Sequence, residues 1–397
     1  MRRSFCCAST AALFVVLALP GLCTACLSPV AFAVPALLEA IAAPALAEIR
    51  TYTYGGSGED FLVHLAVSED GRIAMTGRSD SVDGTLSSRT KTGHSAWLLC
   101  VDAQGNVLTN FLTRHGARDC LRFPVFHGDG SLTAVLDADS AGEQELIRFD
   151  REGAILARTV IPIPDGATGL GVSGMTDEGY LFYEVSGETI IRHTLYDWDG
   201  RFVRDWNADE DPGYVARAER HVVRVSNSEG WLTAIDESGV EHPIAKVMAW
   251  SDEGWDVYLN ALLSLEDGGA VAAGYASDEN GFRSGYIARW DAQGKRVFEW
   301  WLPGEIPFTL ERTPRGFAAA VCNVNSPNGI YEQALAFFDG DGIQTGSIPL
   351  GDGVGDCETA TLPDGGIAVL ILYVVNAGEE PIDLNARLVI VPPEDFL

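Results

Sequence analysis

The sequence predicts an all-β fold, a seven-bladed β-propeller with four-stranded antiparallel blades, and three observations predict it. An Asp-x-x-Gly turn recurs six times after apolar runs. A second turn class, mostly Asp-Gly, recurs seven times. A strand-like run, Ile49 to Tyr54, precedes the first unit, while the last unit stops one strand short. The composition agrees: 397 residues, 47% hydrophobic and 21% charged, form a core, and 43 glycines against four methionines favour short strands and tight turns.

The Asp-x-x-Gly turns start at Asp102, Asp150, Asp197, Asp236, Asp291 and Asp339, spaced by 39 to 55 residues. Their chemistry is that of a hairpin. The Asp side chain bonds back to the turn amides, and Gly takes the positive-φ position. The second class comprises Asp70-Gly71, Asp129-Gly130, Asp177 to Gly179, Asp267-Gly268 and Asp364-Gly365, with weaker members at Glu219-Arg220 and Pro314 to Gly316. Alternating or apolar runs flank them, such as Phe61 to Val67, Arg72 to Thr76, Trp97 to Val101 and Asn106 to Leu112. Each unit therefore contains strand, Asp-Gly turn, strand, variable loop, strand, Asp-x-x-Gly turn and strand, which is a propeller blade. The seventh unit ends on its third strand, Arg387 to Val391. The orphan strand Ile49 to Tyr54 supplies the fourth and closes the ring, which removes an exposed sheet edge.

Residues 1–47 form an export leader and residues 48–397 the propeller domain. Met1-Arg2-Arg3 is a positive n-region, and Phe5 to Pro20 is apolar but too short for a membrane span. Ala31-Phe-Ala33 and Ala45-Leu-Ala47 fit signal-peptidase cleavage, and Cys26 is the alternative lipidation site. An uncleaved leader acting as an anchor is the third reading, and every one predicts a protein secreted from, or attached to, a cell envelope, with the membrane reached only through the leader or a lipid. The balance of 27 basic and 56 acidic residues, a net charge of −29, argues against nucleic acid. A monomer is expected.

The segments Gly55 to Asp60, Glu69-Asp-Gly-Arg72, Thr76-Gly77 and Asp102-Ala-Gln-Gly105, matched again by Glu266 to Gly269 and Ala273-Gly274, resemble the repeat of secreted bacterial β-propeller proteins. The resemblance covers roughly residues 50–395. It implies the fold and bacterial export, and it carries no particular activity.

In a propeller both hairpin classes lie on one face, so the variable loops gather on the other, where recognition residues tend to sit. The candidate ligand-binding residues there are Arg89, His94, His115, Asp119, Trp250, Trp255 and Asp256; Asn323 and Asp352 lie on nearby loops. Trp250, Trp255 and Tyr258 suit a sugar ring or peptide, whereas Trp290, Trp300 and Trp301 are expected to pack between blades. No metalloprotease, P-loop or nucleophile-elbow motif occurs. The expected role is a binding module for a saccharide, peptide or envelope protein. A propeller hydrolase or lyase with carboxylates at the channel mouth and a purely structural envelope protein are the alternatives. No cofactor is required, although Asn207 to Gly213 spaces oxygen ligands in a manner compatible with Ca2+. Of the four domain cysteines, Cys322 and Cys357 both fall toward the variable-loop end and form the candidate disulfide. Cys100 and Cys120 fall at opposite ends.

Overall fold

The structure, a computed structural model, describes residues 49–87, 94–113, 119–137, 144–175, 178–187, 189–207, 214–217, 222–225, 231–235, 241–246, 256–265, 269–277, 283–291, 293–324, 330–355, 357–375 and 383–393. The leader, with Cys26 and its cleavage sites, lies outside them. Residues 48–397 form one compact unit.

The chain runs β1 (Arg50–Tyr54), then β2 (Asp60–Val67), β3 (Ile73–Ser79), β4 (Ser95–Val101) and β5 (Val107–Thr113). Next come β6 (Cys120–Phe126), β7 (Leu132–Asp137), β8 (Gln144–Phe149) and β9 (Ile155–Ile161), followed by β10 (Gly169–Met175), β11 (Gly179–Ser186), β12 (Thr189–Asp197) and β13 (Phe202–Asn207). The strands β14 (Tyr214–Arg217), β15 (Val222–Val225), β16 (Trp231–Ile235) and β17 (Glu241–Lys246) are described by backbone pairing alone. After them lie β18 (Asp256–Ser264), β19 (Ala270–Ser277), β20 (Arg283–Trp290) and β21 (Arg296–Pro303). The last two groups are β22 (Glu305–Thr313), β23 (Gly316–Asn323), β24 (Tyr331–Asp339) and β25 (Gln344–Gly353), then β26 (Cys357–Thr361), β27 (Ile367–Val374) and β28 (Leu384–Val391).

Strands consecutive in the chain pair antiparallel into four-stranded sheets, β2–β5, β6–β9, β10–β13, β18–β21 and β22–β25, and β14–β17 pair in the same order. The last sheet is ordered β1-β28-β27-β26: β1 crosses from the N-terminus and pairs antiparallel with β28, from Arg50↔Ile390 to Tyr54↔Ala386. This is the architecture of a β-propeller with four-stranded antiparallel blades.

The middle strands show why the blades stack. In β3, β4, β23 and β27 nearly every side chain is buried, on both faces, as expected of strands sandwiched between neighbours. Alternate residues then feed different cores. On β23, Phe317, Ala319 and Val321 pack toward β18–β21, while Ala318 and Ala320 pack toward the last blade. The core between the last and first blades holds Tyr54, Leu62, Trp97, Leu370 and Leu388, so the closure is built from the same material as the other junctions.

The Asp-x-x-Gly turns fold alike wherever they are described. Asp102 Oδ1 accepts from the amides of Gln104 and Asn106, both at 2.9 Å. Asp150, Asp197, Asp291 and Asp339 repeat the pattern at 2.7–3.0 Å. The turn glycines have φ between 75° and 86°, a region that disfavours side chains. Four of them, Gly105, Gly153, Gly200 and Gly342, also receive the outer strand of the preceding blade. A Cβ on Gly153 would stand 2.1 Å from Thr109 of β5, on Gly200 2.6 Å from Thr159 of β9, and on Gly342 2.5 Å from Phe298 of β21. At Gly105 the same contact comes from Tyr52 of β1, 2.3 Å away. Arg50 Nη1 also donates to Ala103 O at 2.9 Å, and Tyr54 Oη to Gly105 O at 2.9 Å. By this measure β1 is an outer strand like any other, docked on the next blade.

The Gly55 to Glu59 segment latches the closure from the opposite end. Five successive amides donate to side-chain oxygens: Gly55 to Thr85, Gly56 to Asp60, Ser57 to Asp83, Gly58 to Ser81 and Glu59 to Asp80, at 2.6–3.1 Å. Asp60, fully buried, also accepts from the Ser79 and Ser81 hydroxyls.

Two expectations need correction. Trp300 does not pack between blades: it stands 46% exposed on β21, because an outer strand has no further strand to cover it, whereas Trp290 is buried. Pro314-Arg315, a weak member of its turn class, makes a two-residue hairpin, with Thr313 directly opposite Gly316.

Two predictions rest on these turns. Gly71 and Gly105 both have positive φ, but a Cβ on Gly71 meets nothing within 4 Å. Gly71→Ala should cost about 1–2 kcal/mol of unfolding free energy, and Gly105→Val about 2–5 kcal/mol, because only the second also overpacks a blade junction. Urea unfolding compares them; equal losses would disprove docking at Gly105.

The second concerns acid. Hydrogen bonds from the side chain and amide of Ser131 hold the Asp129 carboxyl at about 2. The Ser68 hydroxyl lowers Asp70, and the Ser57 amide lowers Asp83. A carboxylate whose folded pKa is depressed stabilises the fold above its unfolded value, and that contribution is lost as pH falls through the folded one. Burial raises Asp60, so that residue has the opposite sign. Thermal midpoints should fall between about pH 4 and pH 2, and Asp129→Asn should flatten that fall.

Candidate functional site

The hairpin turns occupy one end of every blade, so the β3–β4 type of connection and the blade-to-blade loops occupy the other. At that loop end, the β22–β25 blade forms a cleft of ≈390 Å³ lined by Glu305, Val321, Asn323, Glu332, Ala334, Pro349 and Asp352. Register explains how it is built. Glu305 lies opposite Asn323, Asn323 opposite Glu332, and Glu332 opposite Asp352. Directly paired residues project from the same face of a sheet, so the four side chains make one row across four strands. The next row inward on that face is Val321, Ala334 and Pro349. The cleft thus has an apolar floor and an acidic rim, with three carboxylates and one carboxamide.

Glu305, Glu332 and Asp352 are all exposed, and none takes part in an ion pair among the described residues. Glu332 and Asp352 are like charges directly across a strand pair, an arrangement that is unfavourable without a cation. The nearest guanidinium with a defined role is Arg387 of β28. It donates to the backbone oxygens of Leu350 and Asp352 at 3.2 and 3.3 Å and lies 4.5 Å over the Tyr373 ring. On the adjoining blade, Arg283 stacks over Tyr275 at 5.2 Å. A Cβ on Gly285 would stand 1.9 Å from Glu305 O. Only glycine lets β20 come close enough to form that wall.

Elsewhere at this end the charges are paired. Arg78 donates to Glu59 at 2.7 Å and Arg122 to Asp137 at 2.9 Å. Arg192 bridges the buried Glu184 and the Asp205 carboxylate at 2.8 and 2.9 Å. Acids on the inner strands are likewise engaged. Glu358 of β26 accepts from His64 and from the Leu65 amide of β2 at 2.7 Å, and Glu311 of β22 accepts from Thr359 and Thr361 of β26. These bonds stitch neighbouring inner strands together. Among the described residues no group of three or more His, Cys, Asp or Glu is placed to hold a metal ion.

The residues expected from the sequence fare unevenly. Asp119 is fully buried directly before β6, so it is not displayed to a ligand as expected. His94 is half-buried before β4, with Nδ1 enclosed and without a hydrogen-bond partner among the described residues. Arg89, His115, Trp250 and Trp255 lie outside the described residues, as do positions 208–213 of the Ca2+ candidate. Asp256 opens β18, and its side chain is likewise outside them. Asn323 and Asp352 meet in the cleft, joined by Glu305 and Glu332, which sequence reasoning missed. The available signal was a polar residue at the loop end of each strand in one unit. Cys322 and Cys357 are both buried thiols, with no disulfide between them in the structure.

No protein-family model matches the chain, and no curated protein matches it. Solved structures share the fold. The WD40 domain of Neurospora crassa Pan2 is 12% identical with a TM-score of 0.54, over 88% of this chain and 98% of that domain. Prolyl endopeptidase (11% identity, TM-score 0.47, 88% of this chain and 47% of that one) and an S511A puromycin hydrolase (14%, 0.46, 83% and 53%) are more distant. At such identities the likeness is one of fold, a β-propeller.

Proposed function

We propose that this chain is an exported, cell-envelope binding module, a seven-bladed ring in which β14–β17 is the fourth blade, and that its loop end takes a basic peptide segment of a partner protein. The sevenfold reading is supported by the antiparallel pairing of β14–β17 and by the position of β14 beside β10 and β18. Export rests on the leader, with Arg2, Arg3 and the apolar run that follows.

The observation that carries the binding role is the row Glu305–Asn323–Glu332–Asp352. Its like charges gain most from a cation that donates hydrogen bonds, and a Lys or Arg side chain does this while its aliphatic stem covers Val321, Ala334 and Pro349. A peptide is favoured over a saccharide because no aromatic ring lines the cleft among the described residues. Long-range attraction by a chain of net charge −29 would speed the encounter and weaken with salt.

A fluorescein-labelled Arg/Lys-rich peptide, titrated against the protein by fluorescence anisotropy, tests this. Glu332→Gln with Asp352→Asn should weaken binding about tenfold, on the order of 1.4 kcal/mol, while an exposed turn-end control, Glu152→Gln, should not. Equal affinity for the double variant and the native protein would refute the cleft as the binding site.

A further inference from the structure

We propose that Cys322 and Cys357 are a covalent modification site, at which oxidation forms a disulfide tying β23 to β26 across the junction next to the ring closure. Alternation along β23 settles which way Cys322 points. Ala318 and Ala320 belong to the core shared with the last blade, Phe317, Ala319 and Val321 to the opposite one. Cys322 continues the Ala318–Ala320 row. Cys357 lies in the very core that row enters, with Val369, Ile371 and Val389.

Height along the blade matches as well. Cys322 pairs with Ile306 and Gln333 near the loop end of its sheet, and Cys357 is the first residue of β26, at the same end. β23 and β26 are in direct contact. A disulfide needs Cα atoms within about 7 Å, closer than the usual 10 Å spacing of packed sheets. Residues of β23 and β26 approach to within 8 Å, Cα to Cα, with only the small side chains of Ala318 and Ala320 of β23 in the core they share.

The other two cysteines are excluded by position. Cys100 sits next to the turn end of β4, and Cys120 begins β6 at the loop end, about 17 Å apart along the blade axis at roughly 3.3 Å per residue.

The reaction needs a disulfide oxidant, for which oxidised glutathione serves. The Cys357 thiolate attacks one glutathione sulfur, forming a mixed disulfide and releasing one glutathione thiolate. The Cys322 thiolate then attacks the Cys357 sulfur, the protein disulfide forms, and the second glutathione leaves. Two thiol protons are lost, and two electrons pass to glutathione. Cys322 is 0% and Cys357 2% exposed. The exchange therefore occurs before the last blade docks, and the finished bond is shielded from reductant.

The full chain, unfolded and refolded in a reduced/oxidised glutathione couple, is alkylated in denaturant and mapped without reduction. The expected product is one peptide pair joining Cys322 to Cys357, two hydrogens lighter than the separate thiols, with Cys100, Cys120 and the leader cysteines Cys6, Cys7, Cys23 and Cys26 alkylated. It should persist when the native protein is treated with dithiothreitol and disappear when denaturant is added. The double variant Cys100→Ser/Cys120→Ser should retain it, and Cys357→Ser should lose it. Full alkylation of Cys322 and Cys357 after oxidative refolding, or pairing of either with Cys100 or Cys120, would overturn the proposal.

Discussion

The contact on which the ring depends is the seat that the Asp-x-x-Gly glycines Gly105, Gly153, Gly200 and Gly342 offer to the outer strand of the preceding blade. The Asp carboxylate holds two turn amides, which fixes the backbone so that the glycine presents a face without a Cβ. Tyr52, Thr109, Thr159 and Phe298 fill that face at Gly105, Gly153, Gly200 and Gly342. The turn is therefore a hairpin and a blade junction at once. Substituting the glycine strains both, and substituting the aspartate releases the amides that shape the seat. Since the outer strands carry exposed apolar residues such as Leu108, Leu156 and Phe202, docking at the turn is what fixes their otherwise uncovered edge.

This explains how much of the fold was legible. Turn chemistry is local, and so the Asp-x-x-Gly positions, the strands around them and the missing final strand could all be read from residue types and spacing. Closure by β1 followed from counting. Tyr52 then confirms it in three dimensions, since it touches Gly105 as Thr109 touches Gly153. Trp300 shows where this reasoning ends. Its type suggests burial, but exposure is decided by its place on an outer strand and by alternation.

The candidate site was far less legible, for a physical reason. Glu305, Asn323, Glu332 and Asp352 lie on four strands, and only the hydrogen-bond register of the whole sheet places them in line. A shift of one residue in any pair would send one of them to the other face. Bulges add to the difficulty, because the β24–β25 register shifts between Gln333 and Ala334. Asp119 illustrates the converse. A polar residue in a long variable loop counts as exposed by sequence, yet it is buried at the entrance to β6.

The two ends of the propeller also handle charge differently, and this gives the surface a direction. At the turn end, Asp102, Asp150, Asp197, Asp291 and Asp339 are satisfied by amides, while Arg72, Arg148, Arg151 and Arg201 pair with Asp70, Asp129 and Asp199. The carboxylates there already hold amide or guanidinium partners within the scaffold. At the loop end of β22–β25 three carboxylates remain exposed without ion-pair partners among the described residues. A cation approaching the ring thus gains little at the turns, where it would have to displace existing partners, and more at the cleft, where its charge answers an existing repulsion.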